Sequence, residues 1–157
     1  MQNTNSVVVL QRVSLFIALL CLTGCGPKTS SVSHPLDNDP NLCDFKRGAC
    51  IKTVDNMELT LSITPWNAPS EQALTLKLSS ASAIENVTVR IEGRDMFMGI
   101  IPVHLTQTAK NHYQAPLIYG SCSSGYMVWQ AIVSYKQAGH DKFAVFEFLA
   151  DSDKHAK

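Results

Sequence analysis

Met57-Glu58-Leu59-Thr60-Leu61-Ser62-Ile63 alternates apolar and polar residues without a slip. A strict period of two puts Met57, Leu59, Leu61 and Ile63 on one face of an extended chain, so the segment is expected to be a half-buried β-strand. Pro65-Trp66-Asn67-Ala68-Pro69 then breaks it, and the same period returns downstream. Leu74, Leu76 and Leu78 form one such inward face, and Val87, Val89 and Ile91 another. Tyr113, Ala115 and Leu117 follow, then Met127, Trp129, Ala131, Val133 and Tyr135, and last Ala144, Phe146 and Phe148. Met96 to Leu105 is expected to be a longer extended stretch kinked by Gly99 and Pro102. No segment holds a 3.6-residue period, and no internal repeat is visible. Seven strands separated by Gly, Pro, Asn and Ser predict an all-β fold: an immunoglobulin-like antiparallel β-sandwich, with a small open barrel as the alternative. Trp129, on a central strand, is the expected core aromatic.

Upstream of the strands the composition changes. Val13 to Leu22 is uncharged and holds one polar residue, Ser14; at about ten residues it suits the apolar region of a secretory leader and is too short to span a bilayer. It ends in Leu22-Thr23-Gly24-Cys25, which resembles the lipobox of bacterial lipoproteins. That resemblance implies a signal peptide over 1–24 and a mature N-terminus at Cys25 carrying a thioether-linked diacylglycerol and an N-acyl group such as palmitate. Several acyl chains give stable membrane anchoring where one gives only marginal binding. Gly26 follows the cysteine where an aspartate would signal inner-membrane retention, so the expected location is the bacterial cell envelope, facing the periplasm, with the outer membrane favoured. Residues 25–42, rich in Ser, Pro, Asp and Asn, read as a lipidated flexible tether that contains a solvated His34. The sandwich is expected over 43–151 and a polar tail over 152–157.

The chain carries 13 basic and 13 acidic residues, and charged residues make up only 17% of it. With Arg12 lost in the leader the mature domain stays near neutral, so no basic field exists to hold nucleic acid. The partners expected are the membrane, through the N-terminal lipid, and an envelope or copper-handling protein.

Five cysteines are present. Cys21 leaves with the leader and Cys25 takes the lipid, so Cys43, Cys50 and Cys122 remain for an oxidising compartment. Cys43–Cys50 is the favoured disulfide, across a short loop with Gly48; Cys50–Cys122 is the alternative. The spacing is not the C-x2-C of redox catalysis. Ser121, Ser123 and Ser124 flank Cys122 without a G-x-S-x-G elbow, and His104 and His112 stand at no zinc-ligand spacing, so no enzyme activity is expected.

Asp95-Met96-Phe97-Met98-Gly99 is the most distinctive local string. On a strand Met96 and Met98 would share a face, where they would serve either as core filler or as paired thioether ligands for Cu(I). Cys122, His104 or His112 would complete such a site. The order Val87-Thr88-Val89-Arg90-Ile91-Glu92-Gly93, Asp95-Met96-Phe97-Met98-Gly99, His112-Tyr113-Gln114-Ala115 and Gly125-Tyr126-Met127-Val128-Trp129 resembles YtkA-like and related copper-associated periplasmic domains, across roughly residues 55–149. The resemblance implies a β-sandwich and suggests metal handling. Two functional expectations follow: Cu(I) binding or delivery near the membrane through Met96, Met98, His104 and Cys122, or a metal-free adaptor using an edge strand or the exposed Trp66.

Overall fold

The computed structural model describes residues 39–123 and 126–154. The expected leader, the lipid-bearing Cys25 and most of the tether lie outside the described residues. Asn38–Lys157 is a compact unit by itself, with one continuous hydrophobic core.

The fold is an all-β sandwich. Among the described residues ten strands run in the order β1 (Leu42–Cys43), β2 (Cys50–Val54), β3 (Met57–Thr64), β4 (Leu74–Ser80), β5 (Glu85–Gly93), β6 (Ile100–Val103), β7 (Thr106–Ala109), β8 (His112–Leu117), β9 (Val128–Gln137) and β10 (His140–Leu149). A 3-10 turn, Ser152–Lys154, follows. One sheet has the order β1-β10-β9-β5-β6 and the other β2-β3-β4-β8-β7. Within them, β3-β4-β8-β7 and β6-β5-β9-β10 reproduce the A-B-E-D and C′-C-F-G orders of an immunoglobulin-type sandwich. Every pairing is antiparallel except β1 on β10.

The period-two faces read from the sequence are the buried ones. Leu59, Leu61, Leu76, Leu78, Ile91, Val133, Phe146 and Phe148 meet between the sheets. Trp129 sits at the centre, its ring 5.0 Å from that of Tyr119, which in turn lies 5.9 Å from Phe148. Burial of this kind supplies most of the driving force for folding, at roughly 25 cal/mol per Å² of apolar surface. The β2–β3 and β9–β10 hairpins turn on two residues each, Asp55-Asn56 and Ala138-Gly139, all at positive φ. Such turns match the right-handed strand twist.

Three strands exceed the seven expected. Two of them, β1 and β2, flank the Cys43–Cys50 disulfide, which settles the pairing and leaves Cys122 outside the bridge. In β2 the alternation runs against hydrophobicity, because Lys52 shares the inward side with Cys50 and Val54 while Ile51 faces solvent. The third, β7, lies beyond Met96–Leu105, and that stretch is itself not one extended run. Antiparallel pairing of Glu92 with Ile100 requires the chain to reverse between β5 and β6, and Gly99 at φ +85° serves that reversal. Within the stretch only Ile100–Val103 is strand, as β6, and the chain then crosses to the other sheet to form β7. These two edge strands are only four residues each, and Pro102 lies in β6, features that blunt an open sheet edge.

Candidate functional site

Arg94–Gly99 closes the β5–β6 hairpin at one end of the sandwich, and its root is held by charge. The Arg94 backbone N–H donates to the Val128 carbonyl at 2.9 Å. The Arg94 guanidinium reaches three carboxylates: Asp95 at 3.0 Å, Asp39 at 2.6 Å and Glu147 at 3.4 Å. The hydrogen bond the guanidinium donates to Asp95 leads in raising its pKa well above the ordinary value, against a counteracting effect of burial. Asp39 is held below the usual carboxylate range by the Asn41 backbone N–H and by Arg94.

Beyond this clamp the loop is apolar and open. Phe97 is 82% exposed, Met96 47% and Met98 37%. The methionines are therefore neither on a strand nor in the core, which corrects both the shared-strand-face expectation and the core-filler alternative. A hairpin loop carries them because the reversal falls within that string.

Facing this loop is the β8–β9 connection. Tyr119 is buried, its hydroxyl donates to the Ala68 carbonyl at 2.6 Å, and burial drives its pKa well upward. The Glu71 N–H donates to the Tyr119 carbonyl at 2.8 Å, and the Ser121 hydroxyl donates to the Glu71 carboxylate at 2.6 Å. These bonds pin the connection to the β3–β4 loop immediately before Cys122. The result is a half-buried Cys122 whose Sγ lies 3.8 Å from Met96 Sδ, across 26 residues of sequence. Two sulfurs each about 2.3 Å from one ion stand roughly 3.8 Å apart at a near-tetrahedral angle. Thiol and thioether are both soft donors suited to Cu(I).

The other residues expected at the site fall differently. Met98 is on the same loop, exposed to solvent. His104 is not brought near: Val103 pairs with Val89 at the far end of the hairpin, so four strand residues, about 13 Å at 3.3 Å per residue, separate Ile100 from His104. His104 is withdrawn as a ligand for that reason. His112 opens β8 at the same distant end, whereas Cys122 lies beyond the finish of that strand. Among the described residues no group of three or more His, Cys, Asp or Glu side chains could hold a metal ion.

Met127 was missed as a site residue. Its alternation with Trp129 marks it as core, and it is buried, yet its methyl lies against Gly93 beside the backbone of Met96. It adds a buried sulfur side chain at the root of the loop. The sequence carries no signal for this beyond its place just before β9.

Among the described residues no helix is long and apolar enough to cross a membrane. Comparison with known proteins adds little. No family model matches the chain, and no curated protein matches it. Among solved structures it is similar to a DUF4785 family protein from Legionella pneumophila, at 12% identity and a TM-score of 0.46. That match covers 60% of this chain and 28% of the other, so the chain spans less than a third of that protein's length.

Proposed function

We propose that this chain is a lipid-anchored, non-enzymatic binding protein of the bacterial envelope that holds Cu(I) close to the membrane surface, facing the periplasm. The observation that supports the copper reading is the approach of Met96 Sδ to Cys122 Sγ at 3.8 Å on an accessible rim. Met96 and Cys122 would hold the ion, with exposed Met98 on the same loop as a second thioether that can capture or release it. An anionic thiolate binds more tightly than thioethers alone, while a single thiolate leaves the ion exchangeable. That balance suits delivery to a partner rather than storage.

The anchor is Cys25, and the sorting preference is the outer membrane, on the strength of Leu22-Thr23-Gly24-Cys25 and the following Gly26. The copper reading is tested by anaerobic Cu(I) titration against a competing chelator, comparing the parent with Met96→Leu and Cys122→Ser. Tight one-to-one binding weakened by either substitution, with the fold intact, supports it; no competition by the parent rejects it.

A metal-free adaptor is the second reading, favoured by a separate surface. On the outer face of β9 and β10, Ile132, Phe143 and Val145 line an open depression of about 430 Å³ bordered by Arg90 and Lys142. Apolar side chains ringed by polar ones suit a protein partner. Site-directed crosslinking from Val145 in intact cells tests this; adducts to one envelope protein that vanish when Phe143→Asp is added support it, and an absence of adducts removes it.

A further inference from the structure

The exposed large apolar side chains are unevenly placed. Of the eight in the described residues, six lie at the end of the sandwich that carries the Met96 loop: Trp66, Met96, Phe97, Met98, Ile100 and Ile118. Register shows why they share an end. Trp66 follows the finish of β3, Phe97 follows that of β5, Ile118 follows that of β8, and Ile100 opens β6 beside Glu92. The Tyr119–Ala68 hydrogen bond and the Cys122–Met96 contact tie these loops into one rim. Lys46 lies 5.2 Å from the centre of the Trp66 ring, with exposed Arg47 next to it. An aromatic beside basic side chains is the pairing found where proteins meet lipid headgroups.

The chain also enters the domain at this rim. Asp39, the first described residue, is bonded to Arg94 at the root of the loop. Thirteen residues, 26–38, lie between Cys25 and Asp39. As a flexible linker that length spans about 20 Å on average, and about 45 Å fully extended. A lipid on Cys25 would therefore hold the rim, rather than the opposite end, next to the bilayer.

We propose that the rim built from Phe97, Met96, Met98, Ile100, Ile118 and Trp66 docks on the bilayer that holds the N-terminal lipid, with Phe97 as the inserted tip. The proposal rests on the lipid-anchor reading and is independent of the copper one. One exposed loop is a weak membrane ligand alone; a short tether makes its encounter with the surface intramolecular and raises its effective concentration to the millimolar range. The same placement holds the Met96–Cys122 pair at the membrane surface.

The test tethers Gly26–Lys157, which contains the compact unit, by an N-terminal hexahistidine tag to vesicles of phosphatidylethanolamine and phosphatidylglycerol doped with a nickel-chelating lipid. Tryptophan fluorescence is read with brominated acyl chains as quencher in Trp66→Phe proteins, where buried Trp129 is the constant background. Adding Phe97→Trp is expected to give a blue-shifted emission, quenched at least twofold by the bromolipid, while Phe143→Trp on the outer sheet face is unaffected. Equal quenching of both, or of neither, overturns the proposal, as would retention of Phe97→Trp quenching in vesicles only when a soluble envelope protein is added. Palmitate labelling of the full chain, lost in Cys25→Ser, reads the anchor separately. Absent labelling with quenching retained rejects the anchor and with it the native docking; labelling without quenching rejects the rim.

Discussion

Substituting Gly93 by alanine would place a Cβ where the Met96 carbonyl oxygen and the Met127 methyl already lie. The methyl belongs to a flexible side chain and can yield, but the oxygen is backbone and is fixed by the Arg94 N–H bond to Val128 just before it. Gly93 ends strand β5, paired with Trp129, so the cost is steric rather than conformational. Overpacking of this kind costs roughly 1–3 kcal/mol. Gly120 is the matched control: nothing lies within 4 Å of a Cβ built there, and Gly120→Ala is expected to be neutral or to stabilise by about 0.4–1 kcal/mol through the unfolded chain. Urea unfolding of the three proteins, with the slope checked for constancy, gives the difference directly. Moving the Met96 carbonyl also shifts its side chain relative to Cys122, so under the proposed copper reading the Cu(I) affinity of Gly93→Ala is expected to fall about tenfold, the lower range for loss of a supporting contact around a metal ligand. A Gly93→Ala protein that unfolds at the parent's midpoint would refute the close approach on which the loop's placement rests.

Three further outcomes are expected. Replacing Cys43 and Cys50 together by alanine should lower stability by about 2.4 kcal/mol in the loop-entropy account for a separation of 7 residues, read by urea unfolding with and without reductant. Tyr135→Phe should raise stability by about 1 kcal/mol, because the Tyr135 hydroxyl is buried without a hydrogen-bond partner and removing it relieves a desolvated polar group; a loss above that size would mean the hydroxyl is satisfied. Asp39, paired with Arg94, and Asp55, paired with Lys142, both have pKa values lowered in the fold. Their contribution is therefore complete above the unfolded value near 4 and lost as pH falls through the folded values, so thermal stability should be level from pH 5 to 8 and decline below about pH 4. Arg94→Gln should flatten part of that decline.

Six of the strands were legible because each presents one face to the core, and a half-buried strand must alternate. β3, β4, β5, β8, β9 and β10 all satisfy that demand, and Trp129 lies where its strand predicted. The short strands were not legible for the converse reason. β2 turns Ile51 to solvent and Lys52 inward, held there by hairpin register with β3 and by the disulfide rather than by burial. Met96 and Met98 alternate like a strand, yet the reversal between β5 and β6 falls on them.

The candidate site divides in the same way. The amino-acid sequence by itself determined that this is an all-β sandwich with a near-neutral surface, and it singled out Met96, Met98 and Cys122 by chemistry, since residue type and period are local properties. Tertiary structure alone decided which of those residues meet. Cys122 reaches Met96 across 26 residues because Tyr119, Ser121 and Glu71 fasten one loop beside another, while His104, only eight residues from Met96, is carried to the other end by strand geometry. Separation along a chain says little about distance in a sandwich: neighbouring residues in a strand move steadily apart, and loops far apart in sequence return to the same rim.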